Sequence, residues 1–249
     1  MKNHFIFAIS LLSSVSAFAA PTKYIVGVEP QDYFPCYSFD SKSDAKDHGA
    51  GPSILDAFAK DAGIVFEYRP LPVNRLFSDF IDEKIDFKFP DNPKWKGDIK
   101  VGKKIAYSDS VIEYVDGVMV VPEKKGKGIS ELNRLGIVMG FTPWDFMGEI
   151  KAGKVKVLEN SDFKMLFAQV LKGGSEGVYV NVAVAKKYLD KDMNKKGALV
   201  FDSSLAHTKD NYYLSSIKYA DVIQKFSTFL KDKKTNMDTL RKSYNLTKN

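Results

Sequence analysis

Twice along this chain, short runs of β-branched and aromatic residues alternate with helix-spaced apolar stripes. That order constrains the fold more than any other feature. Residues 24–29 alternate around Ile25, Val26 and Val28 and read as a strand. Residues 30–51 are loop-like, rich in Ser, Asp and Lys. Pro52 can start a helix, because its missing N–H costs nothing there. Ile54, Leu55, Phe58 and Ala62 form the stripe of that helix, and Gly63 ends it. Residues 64–68 read as a second strand. Asn74 reads as the cap of a second helix carrying Leu76, Phe77, Phe80 and Ile81, and residues 85–89 as a third strand. Strand, helix, strand, helix, strand is the grammar of a largely parallel sheet with helical crossovers.

A second α/β block follows. Residues 105–121 are extended, and 135–139 form a strand closed by Gly140. Thr142, Pro143 and Asp145 supply an N-cap, a first-turn proline and an acid three places on, predicting a helix to about Lys151. Residues 155–158 are a strand, and Ser161 reads as the cap of a helix with Phe163, Leu166, Phe167, Val170 and Leu171. Residues 177–180 form a strand, Asn181 caps a helix through Tyr188, and 198–201 end the block. Residues 212–217 return toward the first block, followed by helices over 221–230 and 237–244. Two blocks joined by two crossings, 115–121 out and 212–217 back, leave a cleft suited to a small ligand.

The chain's start and its charge narrow the setting. Lys2 precedes an apolar run over 5–12, and Ala17-Phe18-Ala19 supplies the small residues a signal peptidase reads. Cleavage after Ala19 is expected, delivering a periplasmic protein without a lipid anchor. The run is too short, and too broken by serines, to span a bilayer. The net charge of +6 is mild, and the basic residues are interleaved with acids, which argues against a nucleic acid partner. One cysteine, Cys36, rules out an intrachain disulfide and a cysteine-rich metal site. Its neighbours Phe34, Pro35 and Tyr37 mark it as a buried small hydrophobe. His48 and His207 lack metal-ligand spacing, so no metal or cofactor is expected. No Ser-His-acid arrangement and no phosphate-binding loop stand out.

Several motifs, in order, resemble one family. They are the opening strand at Tyr24, Gly51-Pro52 into the first helix, Glu83-Lys84-Ile85-Asp86 after the second, and Tyr107-Ser108 ahead of the crossing. The strands 136–140 and 177–181 complete the set. Together they resemble a divergent extracytoplasmic solute-binding protein of the amino-acid-binding type (family 3) that serves ABC transporters. The resemblance implies a two-lobed α/β Venus-flytrap fold, type II, with lobe 1 over 20–114 and 213–249 and lobe 2 over 115–212. It also implies a monomer that binds a small metabolite and presents it to an inner-membrane ABC permease or a sensor receptor. Members usually clamp the ligand carboxylate with an arginine, but Phe89 to Lys96 holds none. Where an aspartate often meets the ligand ammonium, this chain reads Val178-Tyr179-Val180-Asn181.

The candidate ligand-binding residues follow from strand ends, helix starts and that resemblance. Glu29 ends the first strand, where α/β folds face their crevice, or is a loop acid in water. Phe34, with Tyr33, forms an aromatic wall or anchors the loop. Arg75 meets a carboxylate or pairs with Asp79 four places on. Asn92 and Trp95 occupy the place of the absent arginine; Tyr107 lies near the hinge. Thr142 caps its helix or offers an anion site, and Trp144 covers the cleft or faces core. Tyr179 and Asn181 stand where a strand becomes a helix, and Tyr212 on the return crossing. The expected activity is capture and delivery of an amino acid or related polar compound, without catalysis. The alternatives are a sensing subunit of a membrane receptor, or a cleft enzyme such as a dehydratase using Glu29, Glu113 or His207.

Overall fold

The computed structural model describes residues 20–39 and 47–246. The leader reading of residues 1–19 therefore lies outside the described residues. β1 (Lys23–Val28) carries Val26 and Val28 fully buried. The loop after it holds a small hairpin, β2 (Asp32–Tyr33) with β3 (Tyr37–Ser38). α1 (Ala50–Ala62) starts at Gly49, whose φ of 88° favours glycine, so Pro52 sits inside the first turn. The helix ends on Gly63 in the left-handed region, as the stripe of Ile54, Leu55 and Phe58 predicts.

β4 (Val65–Pro70) runs parallel to β1, and α2 (Val73–Ile81) buries Leu76, Phe77 and Phe80. Asn74 lies inside α2 and makes no cap; Pro72 precedes the helix and its fixed φ sets the start. β5 (Phe87–Asp91) is buried at every position and pairs parallel with β1, as a strand covered on both faces does. The short α3 (Gly97–Lys100) and β6 (Ala106–Tyr107) lead to β7 (Ile112–Val120).

In the second block, β8 (Arg134–Val138) precedes a single 3-10 turn over Trp144–Phe146 and the short α4 (Met147–Lys151). The Thr142 side chain does not cap this turn, because Pro143 stands between it and the helical backbone. β9 (Lys156–Asn160) follows, then α5 (Phe163–Leu171). Asp162 rather than Ser161 caps α5, accepting the Met165 N–H at 3.0 Å. β10 (Gly177–Asn181) passes directly into α6 (Val182–Lys187). Here Asn181 is the cap, its Oδ1 accepting from Ala183 at 2.9 Å and Val184 at 3.2 Å. β11 (Val200–Phe201), β12 (Thr208–Ser216), α7 (Ala220–Asp232) and α8 (Lys234–Ser243) complete the chain.

The strands follow one hydrogen-bonded path, β4-β1-β5-β12-β7-β10-β8-β9. Its outer parts are parallel and its middle antiparallel. β12 pairs with β7 from Thr208 to Tyr212, then with β5 from Tyr213 to Ser215. β7 and β12 thus join the two blocks side by side. Aromatic packing of Phe58, Phe66, Phe87, Phe226 and Phe229 fills the first block, with centroids 5.0 Å apart for Phe58 and Phe226. Among the described residues, no helix is long and apolar enough to cross a membrane.

Candidate functional site

Side chains from both blocks meet beside the crossing strands. β1 ends at Val28, so Glu29 stands where the strand leaves the sheet, and it is only 3% exposed. It accepts a short hydrogen bond from the Tyr37 hydroxyl. Burial holds the Glu29 pKa above the usual carboxylate value, against the pull of Lys88 and of that bond. On β7, Tyr114 and Asp116 are two residues apart and share a face. The antiparallel register sets Thr208 opposite Asp116, and Tyr212 projects to the same side. Tyr212 stacks on Tyr114 at 4.3 Å and 18°, and Trp95 meets it edge-on at 5.8 Å.

The second block closes the other side. The Tyr179 hydroxyl donates to Asp145 at 3.0 Å, and the Thr208 hydroxyl makes a shorter bond to the same carboxylate. Gly140, Phe141, Thr142 and Trp144 come from the segment after β8. Gly140 holds φ 85°, and a Cβ there would approach Val73 of α2 to 3.2 Å. These groups, with Tyr33, Val73, Phe77 and Lys96, line a cavity of about 50 Å³. That volume holds a few waters or the head of a small ligand.

Asp116 is the unusual group. Its Oδ1 is sealed from solvent and has no hydrogen-bond partner. Desolvation, then the like charges of Asp145, Glu29 and Asp210, push its pKa up to about 8, while Asn181 pulls it down. Burial also pushes the Tyr33, Tyr37 and Tyr212 hydroxyls well above the ordinary tyrosine value. Cys36 is buried, and its thiol is pushed up by desolvation, which leaves it an unreactive packing group. Among the described residues, no His, Cys, Asp and Glu group is arranged to hold a metal ion.

Of the candidate residues, Glu29, Trp95, Thr142, Trp144, Tyr179 and Tyr212 line this cavity. Phe34, Arg75, Asn92, Tyr107 and Asn181 do not. Phe34 packs edge-on against Tyr244 at 5.8 Å. Arg75 keeps a 69% exposed side chain and pairs with Asp79 at 3.4 Å. Asn92 is buried and ties the loop after β5 to β12, donating to the Asn211 carbonyl at 3.0 Å and accepting from the Lys94 N–H at 2.9 Å. Tyr107 packs edge-on against Tyr213. Asn181 stands behind the tyrosines: its N–H donates to the Tyr33 hydroxyl at 3.2 Å and its side chain to the Tyr212 hydroxyl at 3.4 Å. Asn181→Ala is therefore expected to cost about 1–2 kcal/mol, read as a lower denaturant midpoint at unchanged slope. Sequence reasoning missed Tyr37, Phe77, Lys96, Tyr114, Asp116 and Thr208 as lining groups.

The blocks also touch each other directly. Lys187 pairs with Asp32 at 2.8 Å, the Tyr188 hydroxyl donates to the Asp32 carbonyl at 2.9 Å, and Lys94 pairs with Asp210 at 2.8 Å.

No family model matches the chain. No curated protein matches it either. Solved structures do. An ancestral arginine-binding protein bound to arginine aligns with a TM-score of 0.71 at 19% identity, over 91% of this chain and 99% of that one. The arginine-, lysine-, histidine-binding protein ArtJ from Geobacillus stearothermophilus gives 0.68 at 20% identity, over 90% and 95%. The ancestral amino-acid-binding protein AncCDT-1, a precursor of cyclohexadienyl dehydratase, gives 0.68 at 18% identity, over 89% and 95%. The chain therefore has the two-domain α/β architecture of type II periplasmic-binding proteins. That fold is shared by binding proteins and by the precursor of an enzyme.

Proposed function

We propose that this protein is an extracytoplasmic solute-binding protein that captures a small polar metabolite between two lobes. Lobe 1 comprises 20–114 and 213–249, and lobe 2 comprises 115–212. Residues 1–19 are the leader that sends it to the periplasm, and its partner is an inner-membrane ABC permease. The observation that carries this reading is an aromatic-lined cavity built from both blocks beside the two crossing strands. A ligand touching both sides favours the closed arrangement by its differential contacts there. Such a fold recurs in proteins described as arginine-binding and amino-acid-binding, which makes an amino acid or a related compound one of the first solutes to try.

The test is native mass spectrometry of freshly purified protein, followed by a thermal-shift screen of small metabolites. A true ligand at a hundredfold excess over its Kd stabilises by about 2.7 kcal/mol, which raises Tm by roughly 5–10 °C. No shift across a broad screen sinks the reading. A second reading, a cleft enzyme of the dehydratase kind, draws on Glu29, a buried carboxyl whose pKa is raised in the manner of a general acid. Recovery of a chemically altered solute would favour it, and recovery of an intact one would favour capture.

A further inference from the structure

One acceptor at the cavity has no donor against it. The Tyr37 hydroxyl is spent on Glu29. Those of Tyr179 and Thr208 converge on Asp145. Asn181 is a helix cap and a donor to Tyr212, and its side chain also lies against the Asp116 carboxyl and favours its charged form. Asp116 is one of the residues lining the cavity, and its Oδ1, shielded from water, has no hydrogen-bond partner. A buried carboxylate oxygen without a donor is costly, so the group that belongs against it is a donor, and best a cation.

The walls suit a cation too. Tyr114 stacked on Tyr212, with the indole of Trp95 beside them, puts three aromatic rings in the cavity wall, and the Trp95 ring already lies 5.4 Å from the Lys88 ammonium. Positive groups that could hold a carboxylate are scarce. Arg75 is tied to Asp79 outside the cavity. Lys88 is tied to the Pro90 carbonyl and Asp91, and Lys100 to Asp91. Among the described residues, Lys96 is the one basic residue lining the cavity, against Glu29 and Asp116.

We propose that the cleft takes a small organic ammonium cation that carries no carboxylate, its N–H groups set against Asp116 and its body among Tyr114, Tyr212 and Trp95. This rests on the capture reading above and names the ligand class for the same site. Burial and the charges of Asp145 and Asp210 from the second block and of Glu29 from the first disfavour an ionised Asp116. A bound cation relieves that repulsion.

The test uses calorimetry on the full mature chain with matched probes. Isobutylamine, valine and 3-methylbutanoate form one set; 2-phenylethylamine, phenylalanine and 3-phenylpropanoate form another. At least one amine is expected to bind about tenfold or more tighter than its amino acid and its acid. Asp116→Asn is expected to weaken that amine by about thirtyfold or more while melting no lower than the parent, which a merely structural role would not do. Lys96→Ala is expected to leave the amine bound no more weakly; a tenfold loss there would mean that Lys96 clamps an anion and would overturn the proposal. An amino acid or acid that binds as well as its amine overturns the cation assignment and leaves capture standing. Amine binding that survives Asp116→Asn also overturns it. Silence from every probe removes the cation proposal, and silence extended to the broad metabolite screen removes capture with it.

Discussion

Asp91→Ala is expected to destabilise the protein by roughly 3–5 kcal/mol, because it breaks a buried ion cluster from one side only. Asp91 is fully buried at the end of β5. Its Oδ1 receives the Lys100 ammonium at 2.9 Å and lies 3.5 Å from that of Lys88, and its Oδ2 receives the Ser215 hydroxyl at 2.7 Å. Lys88 is itself fully buried. Burial already holds the Lys100 pKa below the usual lysine value, against the pull of Asp91. Removing the carboxylate leaves two buried ammoniums without a counter-charge there, held only by the Pro90 and Asn92 carbonyls, with the ring of Phe77, 4.2 Å from the Lys88 nitrogen, a poor substitute. Urea unfolding measures the loss. A cost below about 1 kcal/mol would mean that the ammoniums are hydrated or neutral and that the cluster is not the anchor between β5 and β12.

The second large effect is a pH dependence. Asp116 moves from an ordinary 3.8 to about 8 on folding. A carboxyl whose folded pKa is raised binds more protons in the native state than in the unfolded one across that window. Stability from this group is therefore whole below about pH 4 and declines as pH rises toward 8. Each unit is worth 1.36 kcal/mol at most, and partial exposure of the residue with local relaxation cuts the sum to roughly 2–3 kcal/mol. Glu29 acts in the same direction. Asp116→Asn is expected to flatten the decline and to raise Tm at pH 8.5 by about 4–9 °C. Parallel stability curves for parent and variant between pH 5 and 9 would refute the assignment.

The order of elements was legible because it rests on local periodicity. The stripe of α1, the ending at Gly63 and the cap at Asn181 each depend on residues within one turn. The caps differ at Asn74 and Ser161, where Pro72, two places earlier, and the adjacent Asp162 set the boundary instead. The site was legible where a residue ends an element, as with Glu29, Tyr179 and Tyr212. It was not legible where pairing between distant strands decides. Tyr114 and Asp116 look like the polar interruptions of an apolar strand until the β7–β12 register sets them against Thr208 and Tyr212. Their spacing by two was the available signal, and it needed the partner strand to be read. Arg75 illustrates the reverse case: a cation at a helix start drew attention, but its fork is engaged by Asp79 one turn away.

Asp32 reaches Lys187 and Tyr188, and Tyr33 reaches Asn181. These bonds run from the first block to the second, so any parting of the two has to break them. They are therefore a brake on parting, and one that can be eased at Asp32 without changing Tyr114, Asp116 or Trp95.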